Sequence, residues 1–255
     1  MKLIKQMLFL SVAAITTLAG TAETKVVAHR GFWNTKNSDQ NTLASFTKAD
    51  SIGCYGSEID VWLTTDNQLV VNHDKVFHGL FMETAPFEEI RKISLKNGEK
   101  IPTLDEYLAV VREKPDTRLV LEMKSLTDYS REDKACEMIA ERLRKHGVLH
   151  RTDIIVFSLN AAFQFKKLFP TGVKIFYLDG DLSPKKLKKL GLAGLDYSVK
   201  VLKKHPEWVE DAHKLGLEVN VWTVNSEEDM KYFTDLGVDY ITTDHPDKYL
   251  KLYAR

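Results

Sequence analysis

EIDVWLTTDNQLVVNHD, residues 58–74, contains two β-rich runs with only about seven residues between them, Asp66-Asn67 among these. A parallel crossover needs about a dozen residues or more, so these two runs predict an antiparallel hairpin. The spacing inside the first run matters as well. Glu58 and Asp60 are two apart, so on a strand they face the same way while Ile59 faces oppositely.

Outward from this hairpin, short apolar runs alternate with longer amphipathic segments to the end of the chain. The alternation predicts an α/β fold with parallel strands. Nine strands are expected: Val26 to His29, Gly56 to Val61, Leu69 to Asn72, Leu119 to Met123, Ile154 to Ser158, Lys174 to Leu178, Leu195 to Val199, Glu218 to Trp222 and Tyr240 to Thr242. Helices are expected between them, for example Thr42 to Ile52, Thr103 to Glu113, Arg131 to His146, Pro206 to Leu215 and Glu227 to Leu236. Gly53, Gly147, Gly216 and Gly237 stand at helix C-termini, where a left-handed residue is wanted. With Leu69 to Asn72 assigned to the hairpin, the remaining strands number the eight that close a TIM (β/α)8 barrel. Residues 75–117 then form a small insertion after the second strand, with one or two helices. An open doubly wound sheet is the alternative, but no Gly-x-Gly-x-x-Gly turn follows the first strand.

Composition narrows the function classes. The 255 residues are 44% hydrophobic and 28% charged, with Lys plus Arg and Asp plus Glu both at 36, so no basic excess points to nucleic acid. Lys2 and Lys5 precede an apolar run from Met7 that ends in small residues, the layout of a signal peptide over residues 1–22. Cleavage is expected after Ala22, or alternatively after Ala19. An uncleaved membrane anchor is the competing reading. The expectation is a protein exported to the periplasm or the exterior, without stable membrane insertion, whose catalytic domain occupies residues 23–255. Cys54 and Cys136 are too few for a disulfide framework and are expected as buried free thiols.

Chemistry in such a barrel belongs at the C-terminal strand ends. His29-Arg30-Gly31 ends the first strand, Glu58-Ile59-Asp60 the second, and Glu122-Met123-Lys124 the next parallel one. Carboxylates converging on a confined mouth repel unless a proton or cation sits between them. Glu58, Asp60 and Glu122, with no Cys cluster nearby, suit a hard divalent ion, Ca²⁺ or Mg²⁺, better than Zn²⁺. The hairpin carries His73 back over the same mouth, opposite His29. Two imidazoles flanking a cation, with Arg30 and Lys124 close by, are what acid-base cleavage of a phosphodiester needs.

The series His29-Arg30-Gly31, Asn41-Thr42-Leu43-Ala44-Ser45-Phe46, Glu58-Ile59-Asp60-Val61 and Val70-Val71-Asn72-His73-Asp74 resembles the signature of the glycerophosphodiester phosphodiesterase family. Leu121-Glu122-Met123-Lys124, Ser158-Leu159-Asn160, Val221-Trp222-Thr223-Val224-Asn225 and Thr243-Asp244-His245-Pro246 extend the resemblance over nearly all of residues 25–250. It implies a phospholipase C-like barrel enzyme in which Glu58, Asp60 and Glu122 hold the divalent ion, His29 and His73 are the acid-base pair, and Arg30 and Lys124 grip the phosphate. A glycerol hydroxyl would attack phosphorus and expel the head-group alcohol, and water would open the resulting cyclic phosphate to give glycerol 3-phosphate. The substrate implied is a small-molecule glycerophosphodiester.

The sequence departs from the family pattern at Asp39-Gln40, where Pro-Glu is usual, at Phe32-Trp33, where small residues are usual, and at His78-Gly79, where a Thr-Gly-rich stretch is usual. Trp222 is expected either to close over the glycerol carbons or to be plain core. Phe32, Trp33, Phe77 and Phe81 are expected to pack the insertion onto the barrel, with an apolar rim as the other reading. Lys185-Lys186-Leu187-Lys188-Lys189 reads as the solvated face of a helix. A barrel phospholipase acting on intact lipid and a non-catalytic phosphate-binding protein are the competing functions.

Overall fold

The computed structural model describes residues 23–253, so the expected signal peptide lies outside the described residues. The strands are β1 (Lys25–Ala28), β2 (Gly56–Leu63), β3 (Leu69–Val71), β4 (Val76–Phe77), β5 (Leu80–Phe81), β6 (Arg118–Met123), β7 (Thr152–Val156), β8 (Lys174–Tyr177), β9 (Gly194–Ser198), β10 (Glu218–Trp222) and β11 (Tyr240–Thr243). The helices are α1 (Leu43–Ser51), α2 (Phe87–Ile90), α3 (Leu104–Arg112), α4 (Tyr129–Lys145), α5 (Leu159–Leu168), α6 (Pro184–Leu190), α7 (Val199–Lys204), α8 (Glu207–Lys214), α9 (Glu227–Leu236) and α10 (Pro246–Tyr253).

β1, β2 and β6 to β11 pair in parallel, each with its neighbour, and the ring closes where β1 meets both β11 and β2. Closure removes the open doubly wound alternative. Only the first residues of β2 pair with β1 (Val27 with Gly56, Ala28 with Ser57). Above them Val61 to Leu63 pair antiparallel with β3, so the hairpin stands on the barrel rim as expected. Strands buried on both faces explain the near-continuous apolar runs: every residue of β2 and β7 is buried.

The helices begin where the sequence supplies caps. Thr42 with Ser45 and Thr103 with Glu106 form reciprocal capping boxes at α1 and α3. Two expected strand ends are corrected by such caps. Ser158 accepts from Ala161 N to cap α5, and Ser198 caps α7, so Val199 opens a helix instead of ending a strand. Residues 75–117 hold the short β4–β5 hairpin, which the sequence reading lacked, together with α2 and α3. Of these, α3 packs between α1 and α4 as the crossover helix of the barrel. Among the described residues no helix is long and apolar enough to cross a membrane. Cys54 and Cys136 are buried free thiols. On α6 the four lysines of residues 185–189 are exposed and Leu187 is buried, the solvated face expected.

The strand registers stack inward side chains in layers, with alternate strands contributing to each. At the mouth β1, β6, β8 and β10 bring His29, Glu122, Leu178 and Trp222. One layer down, β2, β7, β9 and β11 bring Glu58, Ile155, Asp196 and Thr242. Below these, Val27, Val120 and Phe176 belong to the closed core. The opposite end of the barrel is tied by Arg118 to Asp153 and by Lys174 to Glu218, both at 2.7 Å.

Candidate active site

Glu58 and Asp60 both face inward from β2, and the β2–β6 register sets Glu122 directly beside Asp60. One carboxylate oxygen from each of the three lies within 4.8 Å of the others, and all three residues are buried. The loop after β1 secures them. Arg30, at φ 57°, turns its backbone N–H toward Glu58 Oε2 (2.7 Å). Asn41, at φ 59°, donates its amide to Asp60 Oδ2 (2.8 Å) and accepts from Asp60 N (3.1 Å). Gly31 between them has φ 78°, and a Cβ there would meet Ser45 Oγ at 2.3 Å, so only glycine permits this turn.

Three carboxylates in so small a volume meet two cations from the chain, Arg30, whose Nε is 3.9 Å from Asp60 Oδ2, and, closer, Lys124. Lys124 Nζ lies 3.1 Å from Asp60 Oδ1 and 2.7 Å from Glu122 Oε1. Burial pushes Glu58 well above the usual carboxylate range, and the charges of Asp60 and Glu122 push it further. Burial and Asp60 likewise raise Glu122 to about 7, against the pull of Lys124. Burial acts on Asp60 too, but Lys124, His73 and Asn41 more than offset it and hold Asp60 below its ordinary value. Glu58 Oε1 is buried with no hydrogen-bond donor. An oxygen donor set with an unpartnered buried carboxylate oxygen and an excess of negative charge fits a divalent hard cation.

The two histidines are anchored alike. His29 Nδ1 is 2.8 Å from Asp244 Oδ1, which also accepts from the Trp33 indole (3.2 Å), while Asn225 donates to Asp244 Oδ2 (2.7 Å). Despite burial, the His29 and Asn225 hydrogen bonds hold the Asp244 carboxyl down at about 2. A carboxylate can only accept, so the Nδ1 of His29 carries a proton. His73 Nδ1 is 2.8 Å from the exposed Asp74. Burial pushes the His73 imidazole below its ordinary value, opposed by Asp60 and Asp74.

Asp244→Asn is expected to lower turnover about 10- to 100-fold, because an amide no longer selects the tautomer of His29. It also has a pH signature. The folded pKa of Asp244 is depressed from 3.8 to about 2. Its contribution of about 2 kcal/mol is therefore complete above the unfolded pKa and lost as pH falls through the folded one. Urea melts of wild type and Asp244→Asn should differ at pH 6 and converge toward pH 2. A gap that stays constant across that range would show that the Asp244 carboxylate does not contribute to stability in this way.

His29, Arg30, Glu58, His73, Glu122, Lys124 and Trp222, all picked from the sequence, line one cavity of about 300 Å³, and Asp60 sits just behind its wall. Gln40 accepts from Arg30 Nη1 (2.7 Å), so the amide at this departure orients the guanidinium. Trp33, at the other departure, braces Asp244. The apolar wall is made by Ile155, Phe157, Leu178 and Trp222. Phe32 and Phe77 pack against the core, as expected of residues joining the insertion to the barrel, while Phe81 is exposed. Trp222 is half-buried and forms one side of the cavity, its ring edge-on to Phe157 at 6.0 Å. The roles of Asn41, Asn225 and Asp244 were not assigned from sequence. The signal available for Asp244 was its place just after β11, a C-terminal strand end like that of His29.

A second, more open groove continues from the cavity through His73, Glu122, Lys124 and Phe157 to Trp62, Asp74, Lys75 and Val76. The two spaces meet at His73, Glu122 and Lys124. A substrate with two arms joined at an anionic centre fits such a shape.

The fold has close counterparts. A crystal structure of a glycerophosphodiester phosphodiesterase from Parabacteroides distasonis is 43% identical, with a TM-score of 0.89, over 91% of this chain and 98% of that one. The glycerophosphodiester phosphodiesterase of Caldanaerobacter subterraneus subsp. tengcongensis is 32% identical over 251 residues, covering 91% of this chain and 99% of the relative. An Oleispira antarctica phosphodiesterase, solved in complex with the product sn-glycerol-3-phosphate, is 26% identical with a TM-score of 0.77, over 90% of this chain and 96% of that one. The sequence pattern of the glycerophosphoryl diester phosphodiesterase family matches residues 29–248, and the chain belongs to that family.

Proposed function

We propose that this phosphoric diester hydrolase cleaves soluble glycerophosphodiesters to sn-glycerol 3-phosphate and an alcohol by two-histidine acid-base catalysis, with Ca²⁺ or Mg²⁺ held by Glu58, Asp60 and Glu122. The observation that carries the reading is the pair of anchored imidazoles, His29 on Asp244 and His73 on Asp74, lining one cavity with the buried carboxylate cluster. When bound, the divalent ion would offset charge building on the phosphoryl oxygens.

The chain's own groups supply the rest. Arg30 and Lys124 line the cavity as cations for the phosphate. One imidazole Nε2 takes the proton from the glycerol 2-hydroxyl as its oxygen attacks phosphorus, and the other gives a proton to the departing alcohol oxygen. In the second half the roles exchange: a water loses its proton to one imidazole, opens the cyclic phosphate, and the freed 2-oxygen is reprotonated by the other. Each Nδ1–H, fixed on a carboxylate, keeps Nε2 directed for this exchange. Phe157 and Trp222 would give the glycerol side an apolar wall.

Action on a soluble substrate is separated from action on lipid by assaying glycerophosphocholine beside phosphatidylcholine vesicles, with glycerol 3-phosphate and released choline as readouts. Glycerol 3-phosphate from glycerophosphocholine is the expected result. Choline from vesicles alone would replace the proposal with a phospholipase, and no turnover of either by a folded, metal-supplied protein would leave a phosphate-binding module.

Export is part of the same proposal, on the strength of the charged, apolar and small-residue order of residues 1–22. N-terminal sequencing of the protein from fractionated cells should give Glu23 as the first residue. Met1 retained in the membrane fraction would show an anchor in its place.

A further inference from the structure

Asp196 is the one acidic residue lining the cavity that the proposed chemistry does not use. It stands on β9, four strands round the ring from β2, in the same layer as Glu58, and is 1% exposed. Its Oδ1 is buried with no partner. Asn220 gives one N–H of its Nδ2 to Thr242 Oγ1 (2.8 Å) and also acts on the Asp196 carboxyl, yet it leaves Oδ1 without a partner, and the Trp222 indole bonds the backbone carbonyl of Asp196 itself (2.9 Å). Around it the cavity surface is apolar, made by Ile155, Phe157, Leu178 and Trp222.

A buried carboxyl with an unmade hydrogen bond costs stability, and no ion pair among the described residues repays it. Such a group is accounted for when a ligand supplies the missing partner. The site divides into two arms. Arg30, Lys124, His73 and the carboxylate cluster mark the phosphate, and the open groove past Asp74 and Val76 leads away from Asp196 and Trp222. The arm holding Asp196 therefore receives the portion of the substrate that is not expelled. That portion is a three-carbon chain whose carbons suit an apolar wall and whose far end carries one hydroxyl.

Resting on the proposed reaction, we infer that Asp196 binds the terminal hydroxyl of the glycerol moiety, the hydroxyl that does not attack phosphorus, and so selects glycerol over other 1,2-diol phosphodiesters. The carboxyl can accept from this hydroxyl or donate to it. Trp222, fixed by its bond to the Asp196 carbonyl, lies along the carbons between.

The test pairs two substrates with two variants. Glycerophosphocholine is compared with the phosphocholine ester of propane-1,2-diol, which keeps the attacking 2-hydroxyl and lacks the terminal one, in wild type, Asp196→Asn and Asp196→Ala. Wild type is expected to prefer glycerophosphocholine by about 10- to 100-fold in kcat/KM, chiefly through KM. Asp196→Ala should bring the ratio near one and Asp196→Asn should keep part of it. Thermal melting is the control: losing a buried unpaired carboxyl should leave the midpoint of Asp196→Asn unchanged or higher. Equal use of both substrates by wild type would overturn the inference, as would a preference that survives in both variants or an equal fall on both substrates. Absence of turnover of any glycerophosphodiester by folded wild type would instead remove the proposed reaction, and this inference with it.

Discussion

His29→Ala and His73→Ala are each expected to lower kcat about 10²- to 10⁴-fold on glycerophosphocholine, with folding retained. The size follows from what the two rings do. In the proposed reaction each moves a proton in both halves, so removing either leaves one half without an acid and the other without a base. Both imidazoles line the cavity and both are fixed through Nδ1, at 2.8 Å from Asp244 and Asp74. Groups that act as a unit are not additive, so the double variant should be little worse than the more damaged single one. Neither ring is fully buried; His73→Ala loses only a bond to the exposed Asp74 and should melt close to wild type, whereas His29→Ala should lose part of what the Asp244 bond contributes. Full activity in either single variant would sink the two-histidine scheme.

Glu58→Gln is expected to push activity and metal-free stability in opposite directions. Glu58 Oε1 has no partner, and burial with the charges of Asp60 and Glu122 drives its carboxyl well above the usual range. For an acid whose folded pKa is raised, the sign is unfavourable: the folded state is penalised at every pH above the unfolded value, and the penalty is relieved only as pH falls below it. Gln keeps an oxygen for the Arg30 backbone N–H and turns an amide toward the remaining carboxylates. The chelated variant should therefore melt higher than chelated wild type, by roughly 1 kcal/mol or more, which is about 2–4 °C for each kcal/mol in a domain of this size. Turnover should fall about 10²- to 10⁴-fold, and the rise in melting temperature that Ca²⁺ or Mg²⁺ gives wild type should shrink. A variant that melts lower without metal and still gains the full metal shift would show that Glu58 is not a ligand.

The barrel was legible because its determinants are local. Strand runs buried on both faces, helix caps at Thr42 and Thr103, and one connection too short for a crossover fix the element order and the hairpin. The residues proposed for the metal and for acid-base work were legible for a related reason: strand alternation and strand ends decide where Glu58, Asp60, Glu122 and His29 point. What sequence does not carry is the partner of each group across the ring. Asp244 is 215 positions from His29, and Asn41 is 19 from Asp60, yet closure and a left-handed turn bring them within hydrogen-bond distance. Asp196 shows the same gap. On sequence alone it is one acid in Leu-Asp-Tyr on a buried strand, and only the stacking of layers puts it on the cavity floor. The β4–β5 hairpin was missed because its two-residue strands are too short for any alternation to register.

The proposed release of glycerol 3-phosphate depends on a divalent ion held by Glu58, Asp60 and Glu122 and on the histidine pair. The direct measurement is a coupled assay of glycerol 3-phosphate from a panel of glycerophosphodiesters, run after chelation and again after adding Ca²⁺ or Mg²⁺. Activity lost on chelation and restored by one of these ions is the predicted result. Undiminished release of glycerol 3-phosphate by the chelated, metal-free protein would contradict it.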